Sequence, residues 1–263
     1  MSAILKYRQR AEAVNSLVCV GLDSDPAKIP PRFGDDVVAF NQWIIEVTHP
    51  FACAYKPNIA FYEARGADGW RDLQQTVDYL RVNHPDILII CDAKRSDNST
   101  SNAGYVTAIF DQLGCDAVTL HPYMGLQSLA PFLQRVDKGC IILCRTSNPG
   151  DDELQNLLVD DKPLWRIVAE KVRDEWNANG NCMLVVGATH PQELAQVRQI
   201  VGDMPLLVPG VGAQGGDVHN AVRAGIGSHG GGLIINASRS IIYADDPAAA
   251  AKQLRDAINT ARS

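Results

Sequence analysis

The sequence predicts an α/β protein, a single-domain (β/α)8 TIM barrel spanning residues 1–263. Three observations predict it. Short apolar, β-rich runs recur along the chain, amphipathic helical segments separate them, and eight such units fit within 263 residues. Runs that are apolar on both faces and alternate with helices mark a parallel sheet. Eight of them in about 260 residues match a closed barrel better than an open, doubly wound sheet. A two-domain dinucleotide-binding architecture would place GxGxxG after the first strand; Gly21-Leu22-Asp23-Ser24-Asp25-Pro26 stands there instead. No Ser/Gly linker, low-complexity tract or shift in composition marks a domain boundary. A chain of this length buries roughly 70–75% of its unfolded surface, ample for one core.

Taken in order, strands are expected at residues 17–21, 52–57, 87–92, 117–120, 141–145, 183–187, 206–209 and 232–236. Helices are expected near 36–48, 69–83, 102–113, 126–136, 164–179, 191–200 and 217–224. A last helix near 247–261 follows Asp245 and Asp246 as N-terminal acids and carries Pro247 in its first turn.

Charge and composition exclude several function classes. Lys and Arg total 24 against 30 Asp and Glu, a net charge of −6 with no long basic run. Nucleic-acid binding needs a basic footprint, so no nucleic-acid partner is expected. The longest apolar stretches are strand-sized, which argues against a membrane span. The first ten residues lack the apolar core of a signal peptide. Seven cysteines, an odd number with no CxxC pair, read as buried free thiols of a cytoplasmic protein. The six histidines lack HxxxH or HExxH spacing, so no metal is expected.

The barrel directs attention to the C-terminal ends of its strands, where chemistry sits in this fold. The strongest signal there is Cys91-Asp92-Ala93-Lys94-Arg95-Ser96-Asp97. Strand residues i and i+2 face the same way, so Asp92 and Lys94 aim together into the barrel mouth, with Asp97 following in the loop. Lys56 ends another strand, and Pro57 stops the pairing there. Two lysines and two aspartates would form an alternating charge array, which reads either as a reactive centre or as an ion-pair layer closing the barrel.

Three further segments stand at strand ends. Pro209-Gly210-Val211-Gly212-Ala213-Gln214-Gly215-Gly216 and Asn236-Ala237-Ser238-Arg239 follow the seventh and eighth strands, the usual phosphate position of this fold. Glycines let backbone N–H groups approach an anion, and Arg239 brings a planar cation that suits phosphate. Arg145-Thr146-Ser147-Asn148-Pro149-Gly150 offers hydroxyl, amide and backbone groups able to read a polar ring edge, and reads equally as an ordinary turn. Ser147 lacks the GxSxG elbow of an acyl nucleophile. Asp23 is either an acceptor for sugar hydroxyls or a cap in a tight turn. His121 reads as a strand-end packing residue rather than a base.

These motifs, in this order and spacing, resemble the orotidine 5′-phosphate decarboxylase family in its longer bacterial form. The resemblance rests on Asp92-Ala93-Lys94-Arg95 with Asp97, on Arg145-Thr146-Ser147-Asn148-Pro149, on Val185-Val186-Gly187-Ala188-Thr189, and on the run from Pro209 to Asp217. It extends over nearly the whole chain. It implies a homodimeric, cofactor-free barrel that converts orotidine 5′-phosphate to UMP and CO2, the last step of UMP synthesis. Lys56, Asp92, Lys94 and Asp97 would form the family's charged tetrad, with Lys94 the proton donor to C6 and Asp97 completing the partner's site. Asp23 and Lys56 would hold the ribose, with Ser101 near it, in place of a family threonine. Ser147 would read the pyrimidine edge, Gln214 would bridge base and phosphate, and Arg239 would grip the phosphate. The loops at residues 147–150 and after Gly210 would be the closing elements. The chain departs from the family at Ser96 and Asn98, where glycine and isoleucine are usual; isoleucine there lines an apolar wall, and Asn98 is polar.

Two rival functions remain at this level. A magnesium-dependent keto-sugar-phosphate decarboxylase of the same superfamily shares the DxKxxD strand but typically carries glutamate where Lys56 stands, and a lysine opposes a divalent cation. A nucleotide-phosphate-binding barrel without turnover would retain the phosphate segments, at the cost of keeping four charged groups without use.

Overall fold

Eight parallel strands close into a barrel, each hydrogen-bonded to the barrel strand before and after it in chain order, the first to the last. The computed structural model describes residues 1–211 and 217–263. Its strands are β1 (Val18–Leu22), β2 (Ala52–Pro57), β3 (Leu88–Arg95), β4 (Ala117–Leu120), β5 (Gly139–Arg145), the short β6 (Leu158–Val159) and β7 (Lys162–Pro163), then β8 (Cys182–Val186), β9 (Leu206–Val208) and β10 (Leu233–Ala237). β6 and β7 form a separate antiparallel hairpin. Val18 pairs with Ile235 to close the barrel. Each expected strand is present; the largest difference is at β3, which runs on to Arg95. β1, β2, β4, β8, β9 and β10 are buried at every residue, which is why their sequences are continuous apolar runs rather than alternating ones.

The helices cover the outer face. Asp246 caps Pro247–Arg262 by accepting from Ala249 N at 3.0 Å, with Pro247 in the first turn, as the sequence predicts. Asp217 caps Val218–Gly225 in the same way. The helices expected at 102–113 and 164–179 end in wide π turns, Thr107–Gln112 and Val172–Trp176. All seven cysteines are buried free thiols.

Two features escaped the sequence reading. A helix, Ala3–Ala13, packs through Ala3, Tyr7 and Ala11, and Tyr7 Oη donates to Leu233 O at 2.7 Å. Its buried stripe is one tyrosine between two alanines, too weak an apolar pattern to stand out. The β6–β7 hairpin turns on Asp160 and Asp161, at φ 50° and 61°. Two consecutive positive-φ residues make the two-residue hairpin turn that Asn-Gly or Asp-Gly usually announces.

Candidate active site

Asp92 is the hub of the barrel mouth. Lys56 Nζ donates to its Oδ2 at 2.7 Å and Lys94 Nζ to its Oδ1 at 2.7 Å. Thr119 Oγ1, from β4, donates to the same Oδ1 at 2.9 Å. Lys56 and Asp92 are buried, whereas the Lys94 side chain is 52% exposed and reaches the open mouth.

Asp92 and Lys94 do meet, but simple strand alternation is not the reason. The β3–β4 register shifts between Cys91 and Arg95, and Lys94 adopts φ 45°. The other non-glycine residues with positive φ among the described residues are Asn15, Asp160 and Asp161, short polar types that tolerate this region. For a long side chain such a backbone costs about 1–3 kcal/mol, and such strain clusters at functional sites. Lys94 N–H donates to Thr119 Oγ1 at 2.9 Å, which holds the bulge.

Burial alone pushes the Asp92 carboxyl up; the ammonium groups of Lys56 and Lys94 more than reverse this and hold it well below the usual carboxylate range. Burial pulls Lys56 down, and Asp92 and then Asp23 overcome that and raise it above an ordinary lysine. Both groups are therefore charged at neutral pH. Buried ion pairs of this kind give little net stability over an apolar pair, because desolvation offsets the attraction.

Asp23 stands just past β1, within electrostatic reach of Lys56. Its Oδ1 is buried and has no hydrogen-bond partner among the described residues. The end of β1 is fixed by Asn41, which accepts from Ser24 Oγ at 2.5 Å and donates to Tyr62 Oη and Thr76 Oγ1, each at 3.0 Å. Tyr243 Oη donates to Asp23 O at 3.1 Å and accepts from Asp25 N at 2.8 Å. That ties the β1 loop to the short helix Arg239–Ile242, which begins at the exposed Arg239. Gly21 lets the two segments approach, since a Cβ there would run into Ser238 Oγ. Asn236 Oδ1 and Thr189 Oγ1 are likewise buried without partners among the described residues. Gln214 and residues 212–216 of the glycine-rich segment lie outside the described residues.

The segment after β5 divides into two roles. Arg145 turns inward: its guanidinium pairs with Asp151 Oδ1 at 2.8 Å, and Asp151 Oδ2 bonds His190 Nε2 at 2.7 Å. Gln155 Oε1 accepts from Thr146 N at 2.9 Å. Asp151, Gln155 and His190 were not singled out in the sequence, since nothing local signals a clamp between two loops. Ser147 packs against Gly187 beyond β8, so closely that a Cβ on Gly187 would lie 2.6 Å from Ser147 Cβ.

Asp97 forms, among the described residues, no ion pair with Lys56 or Lys94. Its Oδ1 accepts from Asn98 N at 2.6 Å. The buried Asn102 grips its backbone, accepting from Asp97 N at 3.0 Å and donating to Asp97 O at 2.8 Å. Asn98 is the N-cap of Ser99–Val106, accepting from Thr100 N and Ser101 N, and it is exposed. Its side chain therefore serves the helix start within this chain. Ser101, in that helix's first turn, is part-buried.

The hub holds a carboxylate between two ammonium groups within reach of Asp23, whose Oδ1 has no hydrogen-bond partner among the described residues, an arrangement suited to electrostatic work on an anionic, hydroxyl-bearing substrate. Among the described residues no group of three or more His, Cys, Asp or Glu could hold a metal. The chain is similar to known proteins over its whole length. It is 48% identical to the orotidine 5′-phosphate decarboxylase of Cellvibrio japonicus, over 100% of both chains. It is 50% identical to that of Herpetosiphon aurantiacus, over 95% of this chain and 92% of that one. Leishmania donovani OMP decarboxylase superposes with a TM-score of 0.91 at 42% identity, over 100% of this chain and 99% of that one. Against Leishmania donovani UMP synthase the TM-score is 0.93, and the chain spans 57% of that longer protein. The family model for orotidine 5′-phosphate decarboxylase / HUMPS matches residues 16–254, so the barrel, the hub and the strand-end loops all fall within it. On these grounds the chain belongs to the orotidine 5′-phosphate decarboxylase / HUMPS family.

Proposed function

We propose that this protein decarboxylates orotidine 5′-phosphate to UMP and CO2, as one catalytic domain over residues 1–263. The observation that carries the reading is the Asp92 carboxylate held between Lys56 and Lys94, each at 2.7 Å. Breaking the bond from C6 to the carboxylate leaves its electron pair on C6, in the ring plane, where π resonance helps little. No Schiff-base cofactor acts as electron sink, so electrostatics carries the step. An ammonium about 3 Å from the developing charge contributes up to about 5 kcal/mol at an effective dielectric of about 20. That is at most about four decades of rate. The C6 pair takes a proton from Lys94 Nζ, CO2 departs, and the lysine amine regains a proton from water.

Asp23 Oδ1, buried and without a hydrogen-bond partner among the described residues, accepts a ribose hydroxyl, with Lys56 and Ser101 completing the ribose contacts. Ser147 reads the pyrimidine edge, Gln214 bridges base and phosphate, and Arg239 grips the phosphate. The protein acts as a homodimer in which Asp97 enters the partner's site; the lack, among the described residues, of any ion pair from Asp97 to Lys56 or Lys94 supports this. Closure of the loops at residues 147–150 and after Gly210 uses phosphate binding energy to organise the reacting end. Seven buried free thiols favour a cytoplasmic enzyme; among the described residues no helix is long and apolar enough to cross a membrane. Lys56 Nζ, bonded to Asp92, opposes the divalent cation that a sugar-phosphate decarboxylase of the superfamily would place there.

The test is the ultraviolet absorbance of orotidine 5′-phosphate with purified protein in excess EDTA. Loss of substrate signal with UMP formation supports the reading. Turnover only of sugar phosphates with added magnesium would replace it, and UMP binding with no turnover would favour an inactive barrel.

A further inference from the structure

We infer that Thr119 is a positioning residue for the decarboxylation, holding the Lys94 ammonium by fixing both its backbone and its counter-ion. The inference rests on the reading of Lys94 as proton donor.

β4 is a buried apolar strand except for this hydroxyl, and Thr119 is 1% exposed. A buried threonine hydroxyl commonly finds a backbone partner in its own element. This one spends both its bonds on the next strand. Lys94 N–H can only donate, so it occupies a lone pair of Thr119 Oγ1 at 2.9 Å. The hydroxyl proton is thereby left for Asp92 Oδ1, an acceptor-only atom, at 2.9 Å. That oxygen also takes Lys94 Nζ at 2.7 Å. The result is a closed ring, from Lys94 N through Thr119 Oγ1 and Asp92 Oδ1 back to Lys94 Nζ.

The bulge explains why a side chain is needed. The β3–β4 ladder pairs Cys91 with Val118 and then skips to Arg95 with Leu120, so the intervening residues are out of register. Thr119 supplies the acceptor for Lys94 N–H that the interrupted ladder does not, at a residue whose φ of 45° is disfavoured for lysine. With the hydroxyl gone, Lys94 N–H lacks that acceptor, the backbone relaxes, and Nζ leaves its line to the reacting carbon. A reacting group misplaced by about 1 Å loses on the order of a hundredfold in rate.

The experiment compares Thr119→Val, which keeps the shape and removes the hydroxyl, with Thr119→Ser, which keeps the hydroxyl, and with Lys94→Ala. Steady-state kinetics and UMP affinity are measured on the folded dimeric protein; Thr119→Ala replaces the valine variant if that does not fold. Thr119→Val is expected to lower kcat by about ten- to a hundredfold with KM and UMP affinity within about threefold of wild type. Thr119→Ser is expected to recover most of kcat. Unchanged kcat in Thr119→Val while Lys94→Ala is inactive overturns the inference and leaves the reading of Lys94 standing. Equal loss of kcat and UMP binding, without rescue by serine, also overturns it by assigning Thr119 a purely structural role. Near-normal turnover by Lys94→Ala overturns the reading beneath it.

Discussion

Lys56 and Asp92 come from adjacent strands, lie 36 residues apart in sequence, and meet at 2.7 Å with both side chains buried. Each controls the other's charge. The pair costs desolvation, so its presence points to function rather than stability. Breaking it from one side is a different matter, because the survivor remains buried and charged.

Asp92→Ala is therefore expected to lose about 3–5 kcal/mol of stability together with activity. Lys56→Met combined with Asp92→Leu should regain most of that stability and none of the activity. Urea denaturation of the variants checks both. A double variant no more stable than Asp92→Ala would show that the site's charges hold the barrel together.

The same pair sets a pH dependence whose sign follows from linkage. Asp92 has a depressed pKa in the folded protein, so its contribution is present above the ordinary carboxylate pKa of about 4 and is lost as pH falls through the folded value. Lys56 is raised, so its contribution is present below the ordinary lysine pKa of about 10.4 and is lost as pH rises through the folded value. Between these limits neither titrates. Melting temperature against pH for wild type and Asp92→Asn should diverge least at the acid extreme, and a gap that is widest there would contradict the assignment.

The strands were legible because a barrel strand is buried on both faces and its run of apolar residues has no polar phase to confuse. The Asp92–Lys94 segment was legible by residue type, yet its geometry was not: Lys94 reaches the hub through a bulge and a positive φ that strand alternation does not contain. Thr119, Asp151 and His190 went unseen because each acts across an element boundary. Thr119 and Asp92 are 27 residues apart, His190 and Asp151 39. Such bonds have no local periodicity. The helix Ala3–Ala13 was missed for the opposite reason, since its buried stripe is mostly alanine.

His190 and Arg145 clamp Asp151, and through it the loop that carries Ser147. Burial pushes the Asp151 carboxyl up, and hydrogen bonds from His190 and Arg145 overcome this and lower it. Asp151→Ala leaves Arg145 buried without its carboxylate. It is expected to raise KM for orotidine 5′-phosphate by about tenfold or more, by loosening the loop that reads the base. Steady-state kinetics would show it; an unchanged KM would detach the clamp from substrate binding.

Gly187→Ala tests the approach of the two loops directly. A Cβ 2.6 Å from Ser147 Cβ has no flexible chain end to displace, so Ser147 must move. The variant should lose at least about tenfold in kcat/KM while melting within a few degrees of wild type. Wild-type kcat/KM would remove Ser147 from the recognition of the ring.

Asp97 offers a test of the shared site. Mixing Asp97→Ala and Lys94→Ala subunits should regenerate one complete site per heterodimer and recover a substantial fraction of activity, measured after verified subunit exchange. No recovery would place Asp97 outside the partner's site.

The central claim is that the Lys94 ammonium, held by Asp92 at 2.7 Å, stabilises and protonates C6. The most direct measurement is kcat for orotidine 5′-phosphate alongside UMP affinity in Lys94→Ala. The account predicts a loss of several decades in kcat, up to about four of them from the lost ammonium, with UMP still bound. Turnover near that of wild type would contradict it.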